Sequence, residues 1–440
     1  MNRELAEAIV DCLSLSPKAI DPKLIGKFSL RDWERTFTWL DTAGLTIYLW
    51  KQLKCTDTVR LLPPPVVARF ERKLADNRRR VDQLADQFDS LNQRFNRAGV
   101  NYAVIKGFAL VPEFCPDPVL RATSDLDYLI DRSSLATAQG VLQDAGYYLH
   151  GSSDIEFKFG RPSEKAPALS DDPYSRETEA LVELHLGLCN WRDNRVLTNE
   201  PEFRLDQTID HDWQGLRFPV LRPEDAFVLQ IVHIFQHTLE CWAKLCWFLE
   251  IGYFKKAYSH DFEFWGRVDA RLPMLPCLDE FATVVMGLSQ AIFATPLPPV
   301  AAKWQEGLRP PAKSWIENYG REWAIEEHPN DALTLFSASK LALFLHQAFL
   351  ADPKVRREIT QRRLFPWKRP DQIAVPAEKT AASLLTARQM QWQYVLRRLS
   401  FHLGSSSRYL IEMPRWRKLN RLSDWREGRQ PDATPTINPY

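Results

Sequence analysis

The sequence predicts an α+β fold, with a small sheet in the first half of the chain and helical regions on both sides of it. Short apolar or alternating runs, which are typical of strands, are concentrated between residues 101 and 188. Stretches in which apolar residues recur three and four positions apart, as on one face of a helix, precede and follow that segment. We therefore expect four regions: helices at 1–65, a core at 66–215 that begins with a long helix, a helical domain at 216–405, and a tail at 406–440.

The first region contains short helical patterns separated by prolines and glycines, and three consecutive prolines at 63–65 end it. Residues 66–97 then carry the longest helical pattern of the chain, which Ala98-Gly99 ends. Its polar face is basic and is either a solvated surface or a contact for a polyanion such as tRNA or a triphosphate. The basic residues of that face are Arg69, Arg72, Lys73, Arg78, Arg79 and Arg80.

The first predicted strand is the apolar run 102–105, which ends at Lys106-Gly107. Glycine has no side chain, so backbone N–H groups at Gly107 could approach phosphate oxygens, and a helix starting near Phe108 would point its N-terminus at them. Lys106 would add a positive charge for the same phosphates. The alternative is an ordinary glycine turn between two elements.

A second apolar run, at 125–130, carries Asp125 and Asp127. Side chains alternate between the faces of a strand, so the two carboxylates point the same way with Cα atoms roughly 6.5–7 Å apart. Carboxylates at that spacing can share divalent cations of the kind that assist phosphoryl transfer. The alternative is a chance Asp-x-Asp on a solvated strand edge.

The ordered set Lys106-Gly107, Pro118-x-x-Arg121 and Ser124-Asp-Leu-Asp-x-Leu-Ile resembles the uncharacterised nucleotidyltransferase family of the DNA polymerase β-like superfamily. Weaker similarity continues at 180–190 and 221–254. The resemblance implies a polymerase β-like core, a small mixed sheet with helices on one side. In that superfamily a Gly-Ser pair after the first strand holds the triphosphate, and here Lys106-Gly107 stands in its place.

The resemblance also implies roles for individual residues. Asp125 and Asp127 would be catalytic and would bind two Mg²⁺ ions, with Mn²⁺ as a possible substitute. The NTP would contact Lys106, Gly107, Arg121, Ser124 and His185. Without the resemblance, Arg121 would more simply be a surface ion-pair partner.

The next elements are a helix at 133–146, a strand beginning at 147–150 and an alternating strand at 155–159. The polar segment 163–177 reads as a loop that could act as a lid. In the strand 180–188, Glu183 and His185 share one face, which matches a Glu-x-His strand of the family. Glu183 would be the third metal-binding, catalytic carboxylate. His185 could orient Glu183, contact the acceptor or fill a semi-buried position.

Residues 191–215 read as irregular, and a helix begins at Pro223 with acidic residues in its first turn. It carries His233 and His237, one turn apart, which could chelate a metal or lie in the core. The resemblance favours contact with the substrate. Where the family has a helix with tryptophan and aspartate, this chain has Trp247 and Glu250, which leaves the role of Glu250 open.

Residues 260–405 read as helices separated by prolines, with 351–378 as a long excursion between helices. The tail from Pro414 interleaves six basic residues with Trp416 and Trp425, a pattern suited to docking on the protein's own acidic face or to binding the RNA backbone and stacking on bases. The last ten residues are expected to be disordered.

Composition points to an ordinary globular chain. Of its 440 residues 45% are hydrophobic and 26% charged, and the net charge of +1 does not indicate nucleic acid or membrane as a partner. Seven scattered cysteines without a Cys-x-x-Cys predict reduced thiols and a cytoplasmic location. The N-terminal stretch lacks a signal-peptide pattern, and no apolar run reaches the length of a membrane span.

Together these observations predict a Mg²⁺-dependent nucleotidyltransferase that transfers NMP from an NTP and releases pyrophosphate. The acceptor could be a protein, a tRNA or a small molecule. Two alternatives stay open: a catalytically silent nucleotide-binding or complex-forming protein on the same fold, and an RNA-directed nucleotidyltransferase.

Overall fold

The computed structural model describes residues 1–16, 23–161, 173–174, 180–187, 195–196, 203–240, 243–326, 340–365 and 381–426. The strands are β1 (Tyr102–Val104), β2 (Asp125–Ile130), β3 (Tyr148–Ser152), β4 (Glu156–Gly160), β5 (Leu181–His185), β6 (Ile209–Trp213) and β7 (Leu216–Val220). The helices up to residue 257 are α1 (Arg3–Cys12), α2 (Lys23–Gly26), α3 (Leu30–Thr42), α4 (Thr46–Cys55), α5 (Pro64–Arg97), α6 (Leu135–Asp144), α7 (Pro223–Glu240) and α8 (Leu245–Ala257). The later helices are α9 (Phe262–Arg271), α10 (Leu278–Phe293), α11 (Val300–Gly307), α12 (Pro310–Trp315), α13 (Arg321–Glu326), α14 (Ala342–Ala348), α15 (Pro353–Leu364) and α16 (Ala381–Arg426).

The strands form one mixed sheet in the order β3-β4-β5-β2-β1-β7-β6. Strand β2 is central and pairs with β1 antiparallel and with β5 in parallel. In the parallel pair Asp127 is opposite Glu183, so two acids from distant parts of the sequence meet on neighbouring strands. The predicted mixed α/β architecture with flanking helices is confirmed.

Helices α5 and α6 cover one face of this sheet. Apolar residues of α5, including Leu84, Phe88 and Phe95, pack with Leu126 and Tyr128 of β2 in one core. The apolar residues of α5 recur at the helical spacing predicted for 66–97, and they contact every second residue of the strand. Asp125 and Asp127, which alternate with Leu126 and Tyr128 along β2, therefore belong to the opposite face.

Helix α7 approaches that opposite face, where Leu229 packs with Ala103 and Leu129. A second, larger core joins the N-terminal helices to those after residue 223, so the predicted regions 1–65 and 216–405 contribute to the same core. One link between them is a hydrogen bond from Trp39 Nε1 to the Ile325 carbonyl at 3.0 Å.

Several local predictions were wrong. Residues 209–213, expected to be irregular, form strand β6, which pairs with β7 as a hairpin. This strand was missed because charged side chains such as Asp210 and Asp212 hid the strand pattern on an edge strand. The turn of the hairpin contains residue 215, where the sequence predicts a boundary between regions.

The helices differ from the sequence expectations in three further places. In place of a helix from Phe108 there is a single 3₁₀ turn, Gly107–Leu110. Residues 353–364, expected within an excursion, form α15. Helix α16 runs through the predicted boundary at 405/406 and includes Pro414. Most of the predicted loop at 163–177 and the last ten residues lie outside the described residues.

The basic face of α5 is partly internal, which neither sequence interpretation anticipated. Lys73 and Arg80 are buried, and Lys73 forms an ion pair with the buried Asp41 at 2.8 Å. The five described cysteines are free thiols, as expected. None of the described helices combines the length and the apolar character needed to cross a membrane.

Candidate active site

The residues predicted to carry function line one cavity of about 460 Å³ between the sheet and helix α7. A cavity of this size is in the range that holds small-molecule ligands. The structure brings all of the predicted site residues to it, namely Lys106, Gly107, Arg121, Ser124, Asp125, Asp127, Glu183, His185, His233 and His237.

Asp127 lies at the centre of the site and is buried. Its Oδ1 accepts a hydrogen bond from Lys106 Nζ at 2.7 Å and lies 2.9 Å from His185 Nε2. Burial alone would raise the pKa of Asp127, but the Lys106 charge and the contact with His185 outweigh it and lower that pKa below its usual range. Asp127 is therefore ionised, and its Oδ1 is paired with Lys106 and His185.

Glu183 lies beside Asp127, but its pKa is shifted in the opposite direction. Its Oε1 accepts a hydrogen bond from Lys158 Nζ at 2.7 Å, and its Oε2 is 3.6 Å from His185 Nε2. Burial, followed by the negative charges of Asp127 and Asp125, raises the pKa of Glu183 to about 7. Glu183 therefore binds a proton more readily than Asp127 does, mainly because it is buried.

One group of side chains in the described part of the chain could hold a metal ion: Asp127, Glu183 and His185, with candidate ligand atoms all within 4.8 Å. This differs from the predicted metal set of Asp125, Asp127 and Glu183. Asp125 lines the same cavity from the same strand face, but it is outside the tight group and lies 3.4 Å from Ser124 Oγ. Asp125 and Ser124 are thus at the rim of the site.

The Lys106-Gly107 turn places a cation next to Asp127. Gly107 has φ +59°, a left-handed conformation that strains residues with a Cβ atom, and no other atom would crowd an added Cβ. Burial would lower the pKa of Lys106, but Asp127 and Asp125 raise it above its ordinary value. The ammonium group stays charged and faces the carboxylates.

Arg121 reaches the cavity from the segment before β2, and its guanidinium group is held by the carboxylate of Glu250. Its Nε donates to Glu250 Oε1 at 2.8 Å, and Tyr48 Oη donates to the same oxygen at 2.9 Å. Burial lowers the pKa of Arg121, but Glu250 and the neighbouring Tyr48, Cys115 and Cys246 together outweigh burial and raise that pKa above its ordinary value. Glu250, whose role the sequence left open, is therefore the ion-pair partner of Arg121.

Helices α7 and α8 form the wall opposite the sheet. Gln230 Nε2 donates to the Ile105 carbonyl at 3.2 Å, which ties α7 to the end of β1. One and two turns further along α7, His233 and His237 pack against Trp247, with ring centroids 4.8 and 5.4 Å away. Burial lowers the pKa of both histidines.

Sequence reasoning missed several residues of the cavity. Glu156 and Lys158 reach it from β4, where Lys158 is opposite Glu183. Their alternation with apolar residues was visible, but nothing local indicated that β4 pairs with β5. Gln230 and Trp247 were also missed as site residues, because only the packing of α7 and α8 brings them to the sheet.

Comparison with known proteins adds one finding. A family model described as an uncharacterised nucleotidyltransferase matches residues 29–293, more than half of the chain and every residue discussed in this section. No curated protein gives a significant match.

Proposed function

This chain belongs to the uncharacterised nucleotidyltransferase family, and from that premise we propose that it transfers a nucleoside monophosphate from an NTP to an acceptor hydroxyl or phosphate. We assign its sheet to the polymerase β-like type. The observation that carries the proposal is the pairing of Asp127 with Glu183 on adjacent parallel strands, inside a cavity that also holds Lys106 and Arg121.

The residues present fit a divalent metal. Asp127 and Glu183 supply buried carboxylate oxygens of the kind Mg²⁺ prefers, Asp125 adds a third carboxylate at the rim, and His185 would also suit Mn²⁺. The pKa of Glu183 is raised first by burial and then by the negative charges of Asp127 and Asp125, and a bound cation would offset both effects. When bound, two such ions would neutralise charge on the phosphates and activate the acceptor oxygen.

The remaining residues orient the nucleotide. Lys106 and Arg121 supply positive charge for the β- and γ-phosphates, and the glycine at 107 lets the backbone approach them. The acceptor oxygen forms a bond to the α-phosphorus, the bond from that phosphorus to the β-bridging oxygen breaks, and pyrophosphate leaves. Glu183, the third carboxylate, would either complete the metal shell or take the acceptor proton.

The test uses each of the four NTPs labelled at the α-phosphate, with Mg²⁺ and a pool of cell-extract acceptors. We expect transfer of the label with release of pyrophosphate. The rate of transfer should fall at least about a hundredfold in Asp127→Asn, because electrostatic stabilisation of the transition state is worth roughly that factor. Transfer that continues unchanged in Asp127→Asn and Glu183→Gln would remove the proposal. His260→Leu, an exposed change outside the cavity, is the control.

A catalytically silent nucleotide-binding protein is the second candidate. The observation that favours it is the ion pair between Lys106 and Asp127, because a lysine on a carboxylate that should hold a metal can exclude that metal. Tight binding of NTP without pyrophosphate release for any acceptor would select this alternative. Lys106→Met would then raise affinity for Mg²⁺ in the absence of nucleotide.

The RNA-directed alternative receives less support. Trp416, one of two tail aromatics expected to stack on bases, is buried against Phe344. The neighbouring basic residues Arg408 and Arg415 form ion pairs with Glu322 and Glu412. A protein, a tRNA or a small molecule are all kept as acceptor classes in the assay above.

A further inference from the structure

The cavity has two chemically different ends. At the sheet end, Lys106 and Lys158 lie against Asp127 and Glu183, so charged groups dominate. At the helix end, the imidazoles of His233 and His237 and the indole of Trp247 form a cluster with centroid distances of 4.4–5.4 Å. A ligand that fills the cavity must therefore carry a charged part and a flat, apolar or weakly polar part.

The helix end also offers hydrogen-bonding atoms. Gln230 uses its amide nitrogen on the Ile105 carbonyl, so its amide oxygen is left to accept a bond from a ligand. Within the described residues, neither ring nitrogen of His233 has a hydrogen-bond partner, although the ring lines the cavity. A neutral imidazole provides one donor and one acceptor.

This end does not suit phosphate. Burial, and then the neighbouring His237 and Lys106, lower the pKa of His233, and burial lowers that of His237, so neither ring carries a positive charge at neutral pH. Phosphates will therefore prefer Lys106 and Arg121. Gln230 is also bonded to Ile105, directly before Lys106, so the two ends are adjacent.

We propose that Gln230, His233 and Trp247 form the subsite for the nucleobase of the NTP. The indole of Trp247 and the imidazole of His233 present ring surface to a planar base, and the free nitrogens of His233 and the amide oxygen of Gln230 bond to its edge. This inference rests on the proposed function, and it assigns the base rather than the acceptor to the wall formed by α7 and α8.

The test compares a ligand that has a base with one that lacks it. Isothermal titration with Mg²⁺ measures Kd for the α,β-methylene analogues of the four NTPs and for inorganic tripolyphosphate. We expect one or more analogues to bind more tightly than tripolyphosphate to the wild-type protein. His233→Leu and Trp247→Leu should each raise the Kd of that analogue by about tenfold or more, since stacking on an aromatic ring is worth roughly this factor. Both changes should alter the Kd of tripolyphosphate by less than about twofold.

Two controls separate loss of the subsite from loss of the fold. His260→Leu makes the same chemical change at an exposed position and should bind all ligands as the wild type does. Retained tripolyphosphate affinity in the two subsite variants shows that they are folded.

The inference is overturned if both subsite variants bind the analogues like wild type, or if their affinities for the analogue and for tripolyphosphate fall by the same factor. In either case the proposed function survives, because nucleotide still binds to the wild-type protein. If the wild type binds neither ligand, the proposed function itself fails and this inference fails with it.

Discussion

At the scale of single residues, the ion pair of Arg121 with Glu250 holds a long, flexible side chain in place beside the candidate site. The two residues are 129 positions apart and both are largely buried, with a 2.8 Å contact between Nε and Oε1. Because the bond to Glu250 uses Nε, the terminal nitrogens of the guanidinium are not engaged by that carboxylate. Glu250 is thus a positioning residue for Arg121.

We expect Glu250→Leu to destabilise the protein by about 3 kcal/mol, because it leaves a buried guanidinium without its partner. It should also weaken binding of inorganic tripolyphosphate several-fold, since Arg121 loses its orientation. Glu250→Gln keeps an oxygen that can accept from Nε and should restore most of the tripolyphosphate affinity. Thermal unfolding and titration calorimetry measure both effects, and equal tripolyphosphate affinity in the leucine variant and wild type would contradict this role.

Lys255 of α8 provides a prediction about pH. It is 1% exposed, its Nζ donates to Thr295 Oγ1 at 2.6 Å, and burial lowers its pKa to about 7. Between pH 7 and about 10.5 the unfolded chain binds a proton that the folded protein does not, so this group makes stability rise with pH across that window. Below pH 7 both states are protonated and the dependence disappears.

The change Lys255→Met should remove this dependence. Relative to wild type, the free energy of unfolding of the variant should fall between pH 7 and pH 10 by an amount on the order of a few kcal/mol. Lys256→Met, at the exposed neighbouring position, should follow the wild type across the same range. Parallel curves for wild type and Lys255→Met in urea denaturation would show that Lys255 keeps an ordinary pKa.

At the scale of elements, the 3₁₀ turn at Gly107–Leu110 follows the first strand where the chain enters the candidate site. The left-handed backbone at Gly107 turns the chain directly after Lys106, whose ammonium then meets Asp127. A regular helix at this point would need ordinary negative φ values from its first residue. The positive φ is therefore what lets the chain leave β1 and present Lys106 to the carboxylates.

Gly107→Ala tests this turn. We expect a loss of about 1 kcal/mol in stability, since alanine is strained at positive φ, and weaker binding of tripolyphosphate as Lys106 shifts. Gly140→Ala is the matched control, because Gly140 lies within α6 with open space around it and alanine favours a helix. The free energy of unfolding of that control should rise by about 0.5–1 kcal/mol, and its affinity for tripolyphosphate should be unchanged. A Gly107 variant as stable as wild type with normal affinity would rule out the strained turn.

At the scale of the whole molecule, the C-terminal helix is part of the large core rather than a separate tail. Trp416 is 6% exposed and packs on Phe344 and Tyr319, with centroids 5.1 and 6.0 Å away. Lys340 Nζ also donates to Ser406 Oγ at 2.7 Å. Trp416 therefore packs on aromatic side chains of the protein's own core.

We expect Trp416→Ala to cost about 3 kcal/mol of stability, in the range for truncating a buried aromatic side chain, while NTP binding at the distant cavity is unchanged. Trp392→Ala on the same helix removes a side chain that is 63% exposed and should change stability by less than about 0.5 kcal/mol. Differential scanning calorimetry of both variants measures the contrast. Equal melting temperatures would mean that the helix does not dock through Trp416.

The sequence by itself determined the local features of this protein. Alternation predicted that Asp125 and Asp127 share one face of their strand and that Glu183 and His185 share one face of a second strand. Helical spacing predicted α5 and the start of α7. These features follow from backbone geometry within a few residues, so they can be read without knowing the fold. The resemblance carried by Lys106-Gly107 and the Asp-x-Asp strand added the family.

Only the tertiary structure decided which of these features meet. The parallel pairing of β2 with β5 places Asp127 beside Glu183, and Lys158 follows because β4 pairs with β5. The partnership of Glu250 with Arg121 and the position of Gln230 over Ile105 depend on contacts more than a hundred residues apart in sequence. Such contacts arise from burial of apolar surface, which has no directional preference and is shared across the whole core, so no local pattern encodes them.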